Sequence, residues 1–224
     1  MISTDLSRAK GLMVFLANFE PEHQQAYRQW HNAEHIPERV GIPGFLLGRR
    51  YLATDDATRF LMCYDTLGEQ VLVSAAYLKA LNNPTPWTRQ ALTWFRNPDR
   101  NVYTLLSSRG AAAPSAAPVL AVARFDAGAL PDGDLPDGDL PDGVTRLALY
   151  QLDGAGSSVR TQEAGIHGAR SAQDGGLLWL ECSDVHLLDQ PDRRPALQAW
   201  AASLALQGLQ PLQFFCIDFA YAAR

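Results

Sequence analysis

The stretch WHNAEHIPERVGIPGF, residues 30–45, makes the chain change structure within a few residues. Residues 22–38 leading into it repeat at helical spacing. Tyr27, Trp30, His31 and Glu34 fall on one side, and at about 100° per residue His35 lies about 80° round from Tyr27. Pro37 and the segment Gly41-Ile42-Pro43-Gly44 then stop the helix. A strand starts at Phe45. A helix that hands over directly to a strand belongs to a mixed α and β chain.

The flanking sequence fills in the order. Residues 11–19 (GLMVFLANF) read as a first strand, and Pro21 suits a first helical position. Residues 45–54 and 59–67 read as two strands joined by the turn 54–58, a hairpin. Residues 69–81 are helical, 84–95 give a second helical piece, and 101–107 (NVYTLLS) close with a fourth strand. The order βαββαβ is the ferredoxin-like arrangement, an antiparallel sheet with helices on one face. Its other face is apolar and needs a cover.

A chain of 224 residues has room for two units of about 110 residues. The expected division is a ferredoxin-like domain over 1–108, a linker over 109–118 (RGAAAPSAAP), and a second, degenerate ferredoxin-like domain over 119–224. Strand-like runs recur at 119–125, 144–152, 176–181 and 212–219. A helix spans 193–207, with Gly208 as its stop. Residues 40–44 (VGIPG) are echoed by 164–168 (AGIHG), each ahead of an apolar strand, a helix and a final aromatic strand. The first helix has no counterpart in this half, and either 119–125 or 144–152 could open the copy. A loop occupies 128–143. Its repeated LPDGD holds Asp132, Asp134, Asp137, Asp139 and Asp142 without calcium-loop spacing.

A net charge of −5 argues against a nucleic-acid partner, and Arg49-Arg50 and Arg193-Arg194 are isolated pairs. No apolar run approaches the ~20 residues that span a bilayer. The start MISTDLSRAK lacks the apolar core of a signal peptide, so a cytoplasmic protein without a membrane partner is expected. Cys63, Cys182 and Cys216 are widely spaced in apolar runs and read as buried reduced thiols.

Trp30, His31, His35 and Pro37, followed by Pro43-Gly44-Phe45 and Arg49-Arg50-Tyr51, form a pattern over residues 11–107. It resembles the EthD-like branch of the dimeric α/β-barrel proteins. The resemblance implies ferredoxin-like units whose open sheet faces pair into a barrel, between the two halves or between chains of a homodimer. It also implies a small hydrophobic or aromatic molecule held between sheet and helices. Relatives in the wider group include cyclases, isomerases, monooxygenases and haem enzymes, so fold membership does not choose a reaction.

His31 and His35 stand four residues apart and can act on one ligand. Imidazoles titrate near neutral pH, which suits acid-base work, with Glu34 orienting a partner. Alternatively His31 packs beside Trp30 and Tyr27, bonded to backbone, and His35 meets the helix dipole at the helix end. Residues 31–35 also spell H-x-x-E-H, a zinc-hydrolase pattern. Pro37 and the want of a third ligand argue against it, so no metal and no cofactor are expected. Arg49 and Tyr51 share one strand face and Arg50 takes the other. Arg49, Tyr51, Tyr27 and Trp30 are the expected ligand contacts, though exposure or ion pairing would also satisfy Arg49. Trp87, Trp94 and Phe95 read as core or interface aromatics. His167, between glycines, reads as a loop histidine, with a haem-ligand role implied by analogy alone. The expectation is a small-molecule enzyme or binding protein with His31 as acid-base residue. Its rival is a non-catalytic dimeric module with a filled interior.

Overall fold

The structure, a computed structural model, describes residues 5–112, 116–126, 139–172 and 174–223. Most of the expected 128–143 loop lies outside the described residues.

The first unit runs β1 (Gly11–Phe19), α1 (Gln24–Trp30), a π-helical turn (His31–His35), α2 (Ile36–Val40), β2 (Phe45–Ala53), β3 (Arg59–Thr66), a 3-10 turn (Glu69–Val73), α3 (Ala75–Leu81), α4 (Pro86–Ala91) and β4 (Phe95–Gly110). Its strands lie in the order β4-β1-β3-β2, all antiparallel. The second half runs β5 (Val119–Phe125), β6 (Val144–Leu152), α5 (Gly154–Ser157), α6 (Gln162–His167), β7 (Gly176–Cys182), α7 (Arg193–Ser203) and β8 (Gln213–Ala222). Its order, β8-β5-β7-β6, repeats that of the first unit, so Val119 opens the copy. Antiparallel seams β2–β8 and β4–β6 join the sheets into one closed eight-stranded barrel within a single chain. This α+β architecture is the pair of ferredoxin-like units expected from the sequence.

Closure buries both faces of the strands. On β1, Leu12 and Val14 point into the barrel, whereas Met13, Phe15 and Phe19 meet the helices. Three apolar layers result: the barrel interior and one sheet-helix layer for each unit.

Several local expectations are corrected. Pro37 does not stop the helix, which continues through α2 to Val40. The helix expected over 69–81 is broken where Ser74 caps α3, accepting from the Tyr77 N–H. The echo of 40–44 in 164–168 is not positional: the first segment precedes β2, the second strand of its unit, and the second precedes β7, the third strand of its own.

The departure that matters most is the connection from β6 to β7. The first unit joins its equivalent strands by a short turn, but here α5 and α6 are inserted and pack on the first unit. Thr161 caps α6 and Gly168 ends it at φ +64°. Glu163 forms a buried ion pair with Arg39 of α2, and the Gln162 N–H donates to Asn82 (3.0 Å).

Gly48 of β2 lets α2 approach the sheet. A methyl group added there would lie 2.8 Å from both Ile36 Cγ2 and a Tyr64 ring carbon. Gly48→Ala is therefore expected to cost about 1–3 kcal/mol, read from the urea unfolding midpoint. An unchanged midpoint would mean that α2 is free to slide.

Candidate active site

The first helix buries an aromatic and imidazole face made by Tyr27, Trp30, His31 and His35. A wide turn shapes it. The Ile36 N–H bonds to the His31 carbonyl, five residues back. An α-helix would put the Pro37 ring against a carbonyl four residues earlier; the extra residue in the π turn relieves that clash. The same turn stacks His31 and His35, with ring centres 5.4 Å apart and planes 24° from parallel.

His31 is pinned on both nitrogens. Arg50 donates to Nδ1 at 2.8 Å. A guanidinium has no acceptor, so Nδ1 carries the lone pair and Nε2 the proton. Nε2 faces the Met62 sulfur at 2.6 Å. Arg50 is balanced by Asp218 at 2.6 Å and lies over the Tyr27 ring. Burial, reinforced by the Arg50 charge, holds His31 well below the usual imidazole range.

His35 differs. Its Nδ1 is buried without a hydrogen-bond partner. Its ring lines a small cavity of about 30 Å3 with Met62, Phe95, Arg39, Glu163 and His167. That volume suits a single water molecule. Burial, then the charge of Arg39, keeps His35 neutral, well below its ordinary pKa. Burial also raises the Glu163 carboxyl, against the pull of Arg39. His167 is no simple loop residue: it ends α6, faces the Phe15 ring edge-on at 5.3 Å, and accepts the Ala169 N–H on Nδ1 at 2.9 Å. Burial and then Arg100 bring it down to about 4. Arg100, Val159, Thr161, Ala164 and His167 also line an outer recess of about 440 Å3, so the two spaces share a wall.

The remaining sequence candidates lie elsewhere. Glu34 turns away from the histidines and accepts from Thr85 (2.6 Å) and Thr88 (2.7 Å), while Trp30 Nε1 donates to Thr88 at 3.0 Å. This chain fastens the first helix to α4. The three fixed residues of H-x-x-E-H therefore do not converge. Among the described residues the one cluster with three potential metal-binding side chains is Glu20, Glu22 and His23, away from this site.

Arg49 and Tyr51 face the barrel interior, on the opposite side of the sheet from the histidines. Arg49 donates to both Asp65 oxygens (2.9 and 2.7 Å) and to Glu181 (3.1 Å). The arginine beside the histidines is Arg50, as strand alternation allows. Arg39 was not singled out from the sequence, although its signal is there: His31, His35 and Arg39 follow at successive spacings of four. Glu163 carried no local signal. Trp94 and Phe95 are buried, and Trp87 is partly exposed. Cys63 and Cys182 are buried free thiols, and Cys216 is half-buried.

No protein-family model and no curated protein matches the sequence. Solved structures do match. A candidate monooxygenase from Fusobacterium nucleatum superposes with TM-score 0.55 at 8% identity, over 96% of this chain and 94% of that one. A candidate monooxygenase from Lactobacillus acidophilus gives 0.51 at 6%, over 96% and 97%. An anthrone oxidase-like protein gives 0.50 at 11%, over 99% and 96%. At such identities the likeness is one of fold alone: ferredoxin-like units whose sheets close into a barrel. Among the described residues no helix is long and apolar enough to cross a membrane.

Proposed function

We propose that this chain holds a hydrophobic or aromatic small molecule between the first unit's sheet and helices and acts on it by histidine acid-base chemistry. The observation that carries the reading is His35: a buried, neutral imidazole with an unpartnered Nδ1, beside a cavity that shares a wall with a larger recess. A neutral ring with a free nitrogen can take a proton from a phenolic hydroxyl or an activated C–H placed against it. His31 acts here as a positioning residue. Its nitrogens are occupied by Arg50 and Met62, and its ring stacks on His35. The recess, about 440 Å3, falls in the range of small-molecule sites. The names of the fold neighbours, monooxygenases and an anthrone oxidase-like protein, support an aromatic ligand.

The test uses anthrone as probe, with binding followed by protein fluorescence and conversion by absorbance. His35→Ala, its fold checked by circular dichroism, is expected to weaken binding and to lower conversion by about 10²-fold or more. Binding and conversion equal to those of the parent would remove His35 from the site.

A second reading is a non-catalytic binding module, favoured by how little space remains beside His35. Anthrone bound equally by both proteins and converted by neither would select it.

A further inference from the structure

The outer recess is lined by three arginines, Arg100, Arg160 and Arg170, and by no carboxylate. None of the ion pairs among the described residues involves them. Glu163, in the adjoining inner cavity, is engaged by Arg39. Arg100 also feels the Glu163 charge across the shared wall, but the chain as a whole carries a net charge of −5, so three cations in one concave place without a carboxylate in its lining run against its average. The arrangement is also built. The Arg100 N–H donates to the Arg170 carbonyl (2.8 Å), and the Arg170 N–H donates to the Pro98 carbonyl (2.9 Å). The start of β4 and the segment after α6 are thus tied together, which sets the backbones that carry Arg100 and Arg170 side by side. Arg100 is half-buried and spends one donor on the Gly156 carbonyl at 3.3 Å, whereas Arg160 and Arg170 reach solvent. Like charges gathered in a recess repel until an anion enters, and guanidinium forks match carboxylate and phosphate oxygens.

We infer that the ligand is an aromatic compound bearing an anionic group, its ring lying in the outer recess against the wall shared with the inner cavity and its anion held by Arg100, Arg160 and Arg170. This rests on the reading of the cavity as ligand space. The ring would meet Val159, Ala164 and His167, which line both spaces, and only a substituent the size of a hydroxyl would reach the inner cavity beside His35.

The probes are naphthoate, naphthyl phosphate and the uncharged naphthol, titrated by fluorescence against the whole chain. Naphthoate or naphthyl phosphate is expected to bind about tenfold or more tightly than naphthol, and to weaken as salt rises. In the triple variant Arg100→Gln/Arg160→Gln/Arg170→Gln that advantage is expected to vanish while naphthol affinity stays put. If the triple variant fails to fold, the single change Arg160→Glu, at an exposed position, is expected to reduce binding of the anionic probes alone. Anionic probes that bind no better than naphthol, or that keep their advantage in the variants, would overturn the proposal. The reading beneath it is scored separately with naphthol and His35→Ala: a loss there beside indifference to the arginines means that only the anion site is wrong. Arginine-dependent binding of the anions with His35→Ala without effect means that the histidine assignment is wrong and the anion site stands.

Discussion

Replacing Glu181 with alanine is expected to cost about 3–5 kcal/mol of stability. Glu181 is fully buried in the barrel interior. It accepts from Arg49 (3.1 Å), from Trp179 Nε1 (3.2 Å) and, at 3.5 Å, from Arg146. Asp65, the other carboxylate of the cluster, is held by Arg49 through both oxygens. Two guanidiniums and two carboxylates thus share one end of a closed barrel. Removing one carboxylate leaves two cations facing one anion, away from water. That uncompensated charge sets the cost, which exceeds the worth of the hydrogen bonds lost. Against the 5–15 kcal/mol typical of a folded domain the loss is severe. For a chain of this size it is expected to lower the melting temperature by roughly 10 °C. Differential scanning calorimetry reads it. A loss below about 1 kcal/mol would mean that water reaches the cluster and screens it. A variant in which all four charged residues are exchanged for fitted apolar ones is expected to be neutral or more stable, because it removes the desolvation cost together with the attraction.

The second large effect is sensitivity to mild acid. His31, His35 and His167 are neutral in the fold, each held below its ordinary value chiefly by burial. In the unfolded chain they take up protons near pH 6.5. The unfolded state then binds more protons than the folded one, so stability falls with falling pH. Each group contributes about 1.4 kcal/mol per pH unit in that window, and three together about 4. The loss begins near 6.5 and continues down to about 4 for His167, where its folded form also protonates. Asp65 and Glu163, raised chiefly by burial, act in the opposite direction as they protonate at lower pH. Urea unfolding midpoints are expected to be level above pH 7 and to drop steeply from pH 6.5 to 5.5. His167→Gln is expected to reduce that slope by about a third. Midpoints that stay level down to pH 5.5 would show that the imidazoles reach water.

Seven of the eight strands were legible because each is a short apolar run bounded by turn residues, and their order carried the fold class with it; β4 was legible only over 101–107, because its first residues, FRNPDR, are mostly polar. The histidine face was legible for a related reason: Tyr27, Trp30, His31 and His35 follow helical spacing, and their burial follows from that spacing. Of the alternatives open to Arg49, ion pairing is the one the structure shows, but its burial inside the barrel was not legible, because a charged residue within a strand reads as reaching solvent. In a closed barrel both strand faces are interior, and closure is a property of two distant edges that no local pattern encodes. Pro37 reads as a stop under α-helical bonding, and the π turn that accommodates it has no sequence signature of its own. Glu163 was missed and His167 read as a loop histidine because α6 is a short helix of mostly polar or small residues. Its position is decided by Arg39, more than 120 residues earlier.

Because both seams of the barrel are internal, its closing is a unimolecular event. Dilution does not open it. Covalent linkage also releases the halves from sequence identity. A barrel made by two copies of one chain must carry every pocket twice, with a twofold axis between them. Here one half supplies His31 and His35 and the other contributes α6 with Glu163 and His167, so the stoichiometry of the proposed site is a single ligand to each barrel.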